Sequence, residues 1–439
     1  MAKRSAAMTS VDFRHARAAL GHATQQPVAV QVRHLPYPYE AALAICSDLD
    51  LTPDKQAYLA VARYLNTTAS TAMGPGVGLE VGNSLYFDMP PDQFAYWTTD
   101  DAGREMFRTL IHSGHIDCLH SYGDLARTRA DVQRNLDELQ RHDCKLSVWV
   151  DHSKAPTNFG PDIMQGSGDV VGSAAYHADL TLAYGIRYVW RGRTTGVNGQ
   201  NAPINAKALG HMLDARHPIA STRTMAKEAV KISLGRSGHP RWEMYAANDV
   251  CRPSKLRDGR PIWEFLRSNP FWNGSGKGDT ADGIGDVLTR RMLDGLVRRR
   301  GICVLYTHLG KVRDRQCPPP ESARNAFRRL AEYQERGSVF VTMTQRLLQF
   351  MTVRDALQFR AERDGDVTVI SIGDVNDAVF GTRPPTDDEL GGMSFIVPGR
   401  GAVRIQRESG EAIASTPHVG DDSTTASIPW RRLTFPASV

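Results

Sequence analysis

Apolar residues follow two rhythms along this chain. From Val28 to about Arg354, short continuous apolar runs alternate with segments whose apolar positions recur every three or four residues. The first run, Ala41–Ser47, reads AALAICS and predicts a strand buried on both faces. A helix is expected behind it, with Thr52 as cap, Pro53 in the first turn and Tyr58, Val61, Ala62 and Leu65 on one stripe. The series continues as strand Ile116–Leu119, a helix from Arg129 with Val132, Leu136 and Leu139 aligned, strand Leu146–Val150, helix Ser173–Tyr184 and strand Arg187–Trp190. A long polar stretch follows, in which Trp242–Ala246 reads as a fifth strand. Helix Gly285–Arg299, strand Ile302–Tyr306, helix Ser322–Arg336, strand Val339–Thr342 and helix Gln345–Met351 complete it. Strands alternating with helices in this way predict a parallel α/β structure, and periodicity leaves barrel and open sheet as alternatives.

Past Arg354 the period becomes two. Leu357, Phe359 and Ala361 alternate, Asp364-Gly365 marks a hairpin turn, and Val367, Val369 and Ser371 alternate again. Phe395–Val397 and Val403–Ile405 continue the texture. The expected division is therefore a loose segment 1–27, an α/β unit 28–353 and a small all-β, sandwich-like accessory domain 354–439.

Composition narrows the class only slightly. Of 439 residues, 41% are hydrophobic and 23% charged, as in an ordinary globular protein. The net charge of +5 is spread along the chain, so nucleic acid is not expected as a partner. The one basic run, Arg298–Arg300, sits at a helix end, where it meets the negative pole of the dipole. No apolar run is long enough to span a membrane. The six cysteines show no CxxC spacing, and the N-terminus lacks a signal-peptide apolar stretch, so a reduced, cytoplasmic chain is expected. Oligomeric state is not legible.

Parallel α/β folds present ligands at the carboxyl ends of their strands. Here those ends carry Asp48 and Asp50, His120 and Asp124, Asp151 and His152, Trp190 and Arg191, and His308. Carboxylates and imidazoles recurring at one end of one sheet suit a divalent metal with an open position for water. Other features read as structure. Gly274–Gly278 lacks the residues of a phosphate loop, and the glycines from Gly74 to Gly82 form a turn-rich loop. His112 and His115, at the end of a helix and the start of strand Ile116–Leu119, read as surface or supporting residues, and Tyr176 and His177 as core or supporting residues. Asn158 and Trp97 sit in loops that can line a sugar cleft.

The strand-one acids, His120-Ser121-Tyr122-Gly123-Asp124 and Leu305-Tyr306-Thr307-His308 resemble the motifs of the polysaccharide deacetylase (NodB-homology) superfamily over residues 40–352. That family's paired aspartates are adjacent, whereas Leu49 separates Asp48 from Asp50; its second motif ends in histidine, whereas this one ends in Asp124. The resemblance implies a distorted seven-stranded (β/α) barrel that removes acetyl groups from an amino sugar or glycan. It implies Asp50, His120 and Asp124 as ligands of a divalent metal, zinc; Asp48 as base; His308 as acid; and Arg191 holding Asp48 ionised. Asp151, His152, Trp190 and Asn158 are then expected to face the carbohydrate substrate. Two rival readings stand beside it: a metal-free glycoside hydrolase using Asp48 and Asp151, and a non-catalytic carbohydrate-binding protein.

Overall fold

The computed structural model describes residues 26–215, 217–270, 279–311 and 319–439. Residues 1–25 of the loose segment expected at 1–27, the glycine run Gly274–Gly278 and Cys317 lie outside the described residues, while Gln26–Pro27, expected to be loose, forms a strand. The fold is mixed α/β, built on a large curled sheet of eleven described strands. Its core strands are β1 (Ala41–Ser47), β2 (Gly82–Leu85), β3 (Ile116–His120), β4 (Val148–Val150), β5 (Tyr188–Trp190), β6 (Pro261–Phe265), β7 (Arg267–Ser268), β8 (Ile302–Thr307) and β9 (Val339–Thr342). The spatial order β8-β1-β2-β3-β4-β5-β6 is parallel throughout, with β9 alongside the first half of β1. The segment 261–268 pairs with β5 through Trp263 and Glu264, then with β8 through Ser268. One stretch of chain thus joins the two ends of the parallel run.

Several elements differ from the sequence pattern. The first helix is Lys55–Asn66, capped by Asp54, whose carboxylate accepts from the Ala57 amide at 2.8 Å; Thr52 and Pro53 stay in the preceding turn. The helix expected at 173–184 begins only at Ala178, because the residues before it belong to a loop. Trp242–Ala246 is not a strand. It is a 3₁₀ turn, Pro240–Trp242, running into helix Glu243–Ala247, with consecutive Met244 and Tyr245 both buried against Ile232 and Leu266. The strands that take its place are Cys251–Lys255 and β6, paired antiparallel. Helix 285–299 breaks at Leu288, and Thr289 caps the second piece, Arg290–Arg298. Strand β2 is absent from the sequence pattern, since GNSL carries no apolar run, and the helix expected to end at His112 spans Asp101–His112.

The change of texture lies at Leu357, after a helix that runs Thr344–Ala356. Beyond it are two further sheets, and the chain's beginning joins both: Gln26–Pro27 pairs with Leu357–Asp364, and Gln31–Val32 with Ser394–Pro398. One buried cluster contains Ala42, Val148 and Trp190 from the large sheet, Leu347 and Met351 from the helix, and Ile370, Ile372 and Phe395 from the later strands. The core is continuous across the expected boundary.

Candidate active site

The carboxyl ends of β1, β2, β3, β4, β7 and β8 converge on one group of acids and histidines. Ligand atoms of Asp50, His120 and His152 lie within 4.8 Å of one another, and so do those of Asp48, Asp50 and His308. The residues that follow three of them, Leu51, Ser121 and Ser153, have φ of 58°, 48° and 44°. A non-glycine residue in the left-handed region costs about 1–3 kcal/mol and persists where the surroundings impose it, commonly at functional sites. Asp50, His120 and His152 each stand at such a turn. Gly123, φ 97°, makes the next turn, where an added Cβ would lie 2.4 Å from the Asp88 carbonyl oxygen.

His152 joins two carboxylates: its Nδ1 lies 2.8 Å from Asp124 Oδ1 and its Nε2 3.0 Å from Asp50 Oδ1. Burial opposes its charge, yet these two partners push the imidazole up to about 10. Asp124 therefore supports a histidine, and the histidine, expected only to face substrate, completes the ligand-distance group. His120 Nδ1 lies 3.1 Å from Ser84 Oγ, which donates to Asp48 Oδ1 at 3.2 Å. With its one proton given to Asp48, Ser84 accepts from His120 Nδ1–H, so the lone pair of His120 is on Nε2. Burial lowers His120 to about 4.

Asp48 is buried against Arg267, whose Nη2 donates to Oδ2 at 2.8 Å and to the Cys46 carbonyl at 3.1 Å. Burial alone would push this carboxyl up, but Arg267, with His120 and His308, outweighs it and holds it below the usual range. The Arg267 guanidinium lies 4.5 Å from the ring of Trp190 and 4.3 Å from that of Tyr306. The expectation that Arg191 holds Asp48 is corrected here: Arg191 donates to Glu264 at 2.7 and 3.1 Å. Arg191 follows β5 and Arg267 opens β7, and of the two only Arg267 reaches Asp48.

His308 donates Nδ1–H to the Asp279 carbonyl at 2.8 Å, which leaves Nε2 at 3.9 Å from Asp48 and 3.8 Å from Asp50. Burial lowers its pKa. Asp151 is fully buried and accepts from Trp149 Nε1 at 2.7 Å and the Phe159 amide at 2.9 Å. Burial pushes it up to about 7. Asn158 closes the same loop, exchanging hydrogen bonds with the His152 backbone at 2.9 Å each. These two residues and Trp190, whose Nε1 donates to the Arg193 carbonyl, brace the site. His177, read as a core or supporting residue, sits between Thr181 and Thr157, and Trp97, read as lining a sugar cleft, donates to Asn135.

Ser84, Arg267 and Asp279 were not singled out from sequence. The one available signal was position: Arg267 and Asp279 flank a polar stretch read as loop.

No protein-family profile matches this chain, and no curated protein matches it. Among solved structures, one described as "Crystal structure of Agd3 a novel carbohydrate deacetylase" is weakly similar, with 11% identity and a TM-score of 0.34. The match covers 90% of this chain, and the chain spans 64% of that structure's length. Among the described residues, no helix is long and apolar enough to cross a membrane.

Proposed function

We propose that this chain is a metal-dependent hydrolase that deacetylates an N-acetylated amino sugar or glycan. In this reading the curled sheet, closed by residues 261–268, is the distorted seven-stranded barrel, and the strands after Leu357 form an accessory β domain. The observation that carries the proposal is the group Asp50, His120 and His152, three ligand atoms within 4.8 Å at the ends of three parallel strands.

The residues present fit a divalent ion. Asp50 Oδ2 is buried with no hydrogen-bond partner, an acceptor that a cation satisfies. Two imidazoles and one carboxylate are a donor set of the kind found in zinc hydrolases, which keep a position open for water. Asp124 on Nδ1 fixes the His152 ring so that Nε2 faces the site, the carboxylate–histidine support common behind metal ligands. Ser84 does the same for His120. A bound divalent ion supplies Lewis acidity toward the acyl oxygen and acidifies water.

The chain's own residues do the rest. Arg267 occupies Asp48 Oδ2, which supports proton transfer rather than ligation as the role of Asp48. Held ionised, Asp48 takes the proton of the attacking water. His308, turned by the Asp279 carbonyl so that Nε2 lies 3.9 Å from Asp48, takes up the proton that Asp48 drew from the water and, as imidazolium, passes it to the departing amine nitrogen. The decisive experiment is His120→Ala, with metal content and acetate release from N-acetylglucosamine oligomers as readouts. Loss of both with the fold intact supports the proposal; full metal occupancy in the variant, or a loaded parent that releases no acetate from any acylated sugar, sinks it.

A further inference from the structure

Strand β2 turns alternate side chains to one side, so Ser84 and Tyr86, just beyond its end, face the same way. Ser84 touches Asp48 and His120. The Tyr86 ring lies 5.7 Å from the ring of His120 and 5.5 Å from that of His152. Tyr86 is fully buried, and its hydroxyl has no hydrogen-bond partner. Asp50 Oδ2, in the same site, also has none. A buried donor and a buried acceptor left unpaired in one site call for a third group, because a protein rarely tolerates either without a partner. The cation accounts for the carboxylate oxygen; nothing among the described residues accounts for the phenol.

Resting on the hydrolase reading above, we propose that Tyr86 is a catalytic residue whose O–H donates to the acyl oxygen of the substrate. The attacking water is the poorer partner, since a donor on its oxygen would withdraw the electrons that form the new bond. The acyl oxygen gains negative charge as that bond forms, so a fixed donor is worth most there. A phenol keeps its proton at neutral pH and acts as donor, not base.

The test is Tyr86→Phe in the full chain, loaded with Co²⁺ and titrated with acetate, whose carboxylate oxygens stand in for the acyl oxygen; 4-nitrophenyl acetate reports turnover. Three results are expected. Removing an oxygen with no partner leaves the melting temperature equal or higher, and Co²⁺ uptake unchanged. The acetate dissociation constant, read from the cobalt spectrum, rises about fivefold. The kcat falls about 100-fold with KM nearly constant. A lower melting temperature shows a structural partner for the hydroxyl and overturns the role. Unchanged acetate affinity and kcat overturn it too, while leaving the hydrolase reading intact. A parent that binds no Co²⁺ and hydrolyses neither the ester nor acylated sugars overturns both.

Discussion

Arg267 and Asp48 form a fully buried ion pair at 2.8 Å between residues 219 positions apart in sequence. The guanidinium lies against the rings of Trp190 and Tyr306, and the carboxylate receives a second hydrogen bond from Ser84. Breaking a buried pair from one side strands a charge and costs about 3–5 kcal/mol. Arg267→Met is therefore expected to lower unfolding free energy by that amount, and Arg267→Met with Asp48→Asn to recover most of it. Activity does not return in the double variant, because the carboxamide that replaces the Asp48 carboxylate takes no proton. Denaturant unfolding of the four proteins of this cycle checks the coupling; additive losses would show that the two side chains do not depend on each other.

Asp124 acts through His152. Outer partners of metal-bound histidines are worth about 10–100-fold in metal affinity. Asp124→Ala is expected to weaken zinc binding by that factor while stoichiometry stays the same, as read by competition with a chelating dye. Asp124→His does not restore affinity, since Asp124 Oδ1 reaches His152 Nδ1 and not the far side of the ring. Tight zinc binding by Asp124→His would return Asp124 to the ligand set.

His177 gives a pH dependence away from the site. It is fully buried between Tyr122, Trp149 and Phe159. Its Nε2–H donates to the Thr157 carbonyl at 2.8 Å and its Nδ1 accepts from Thr181 at 2.7 Å. Burial lowers it from 6.5 to about 4. Between those values the unfolded chain binds a proton that the folded chain refuses, so acid favours unfolding. The stability contributed by the neutral ring is complete above pH 6.5 and is lost as pH falls toward 4. For this group the loss amounts to up to about 3 kcal/mol. Urea unfolding at pH 7, 5.5 and 4.5 is expected to show a shallower slope in His177→Gln than in the parent, in which His34 and His115, also lowered to about 4, act in the same direction. Equal slopes would mean that His177 is not held neutral.

Leu51 is 59% exposed with φ at 58°, so it has little burial to lose and strain to relieve. Leu51→Gly is expected to stabilise the fold by up to about 1 kcal/mol. A loss of more than that on thermal unfolding would show that Leu51 makes contacts that offset its backbone.

The sequence by itself determined where strands end and which chemistry collects there. Ala41–Ser47, Ile116–Leu119 and Val339–Thr342 are legible because burial on both faces leaves an unbroken apolar run, and Asp48, Asp50, His120, His152 and His308 follow from reading the residues just past such runs. The Asp364-Gly365 hairpin is legible because the turn needs a residue at positive φ, and Gly365 has φ 59°. Tertiary structure decided who partners whom. Arg191, just past β5, and Arg267, at the start of β7, are equally polar, and their places in the sheet aim one at Glu264 and the other at Asp48. Asp124 has a ligand's spacing from His120, yet the turn through Ser121 and Gly123 carries it to His152. Strand β2, with Ser84 and the approach to Tyr86, is too short and too polar to leave a pattern; it is a strand because β1 and β3 pair with it on either side. Periodicity records how much of each residue is buried, a property set locally by the environment's polarity. Pairing depends on register between segments far apart in sequence, and no local pattern encodes it.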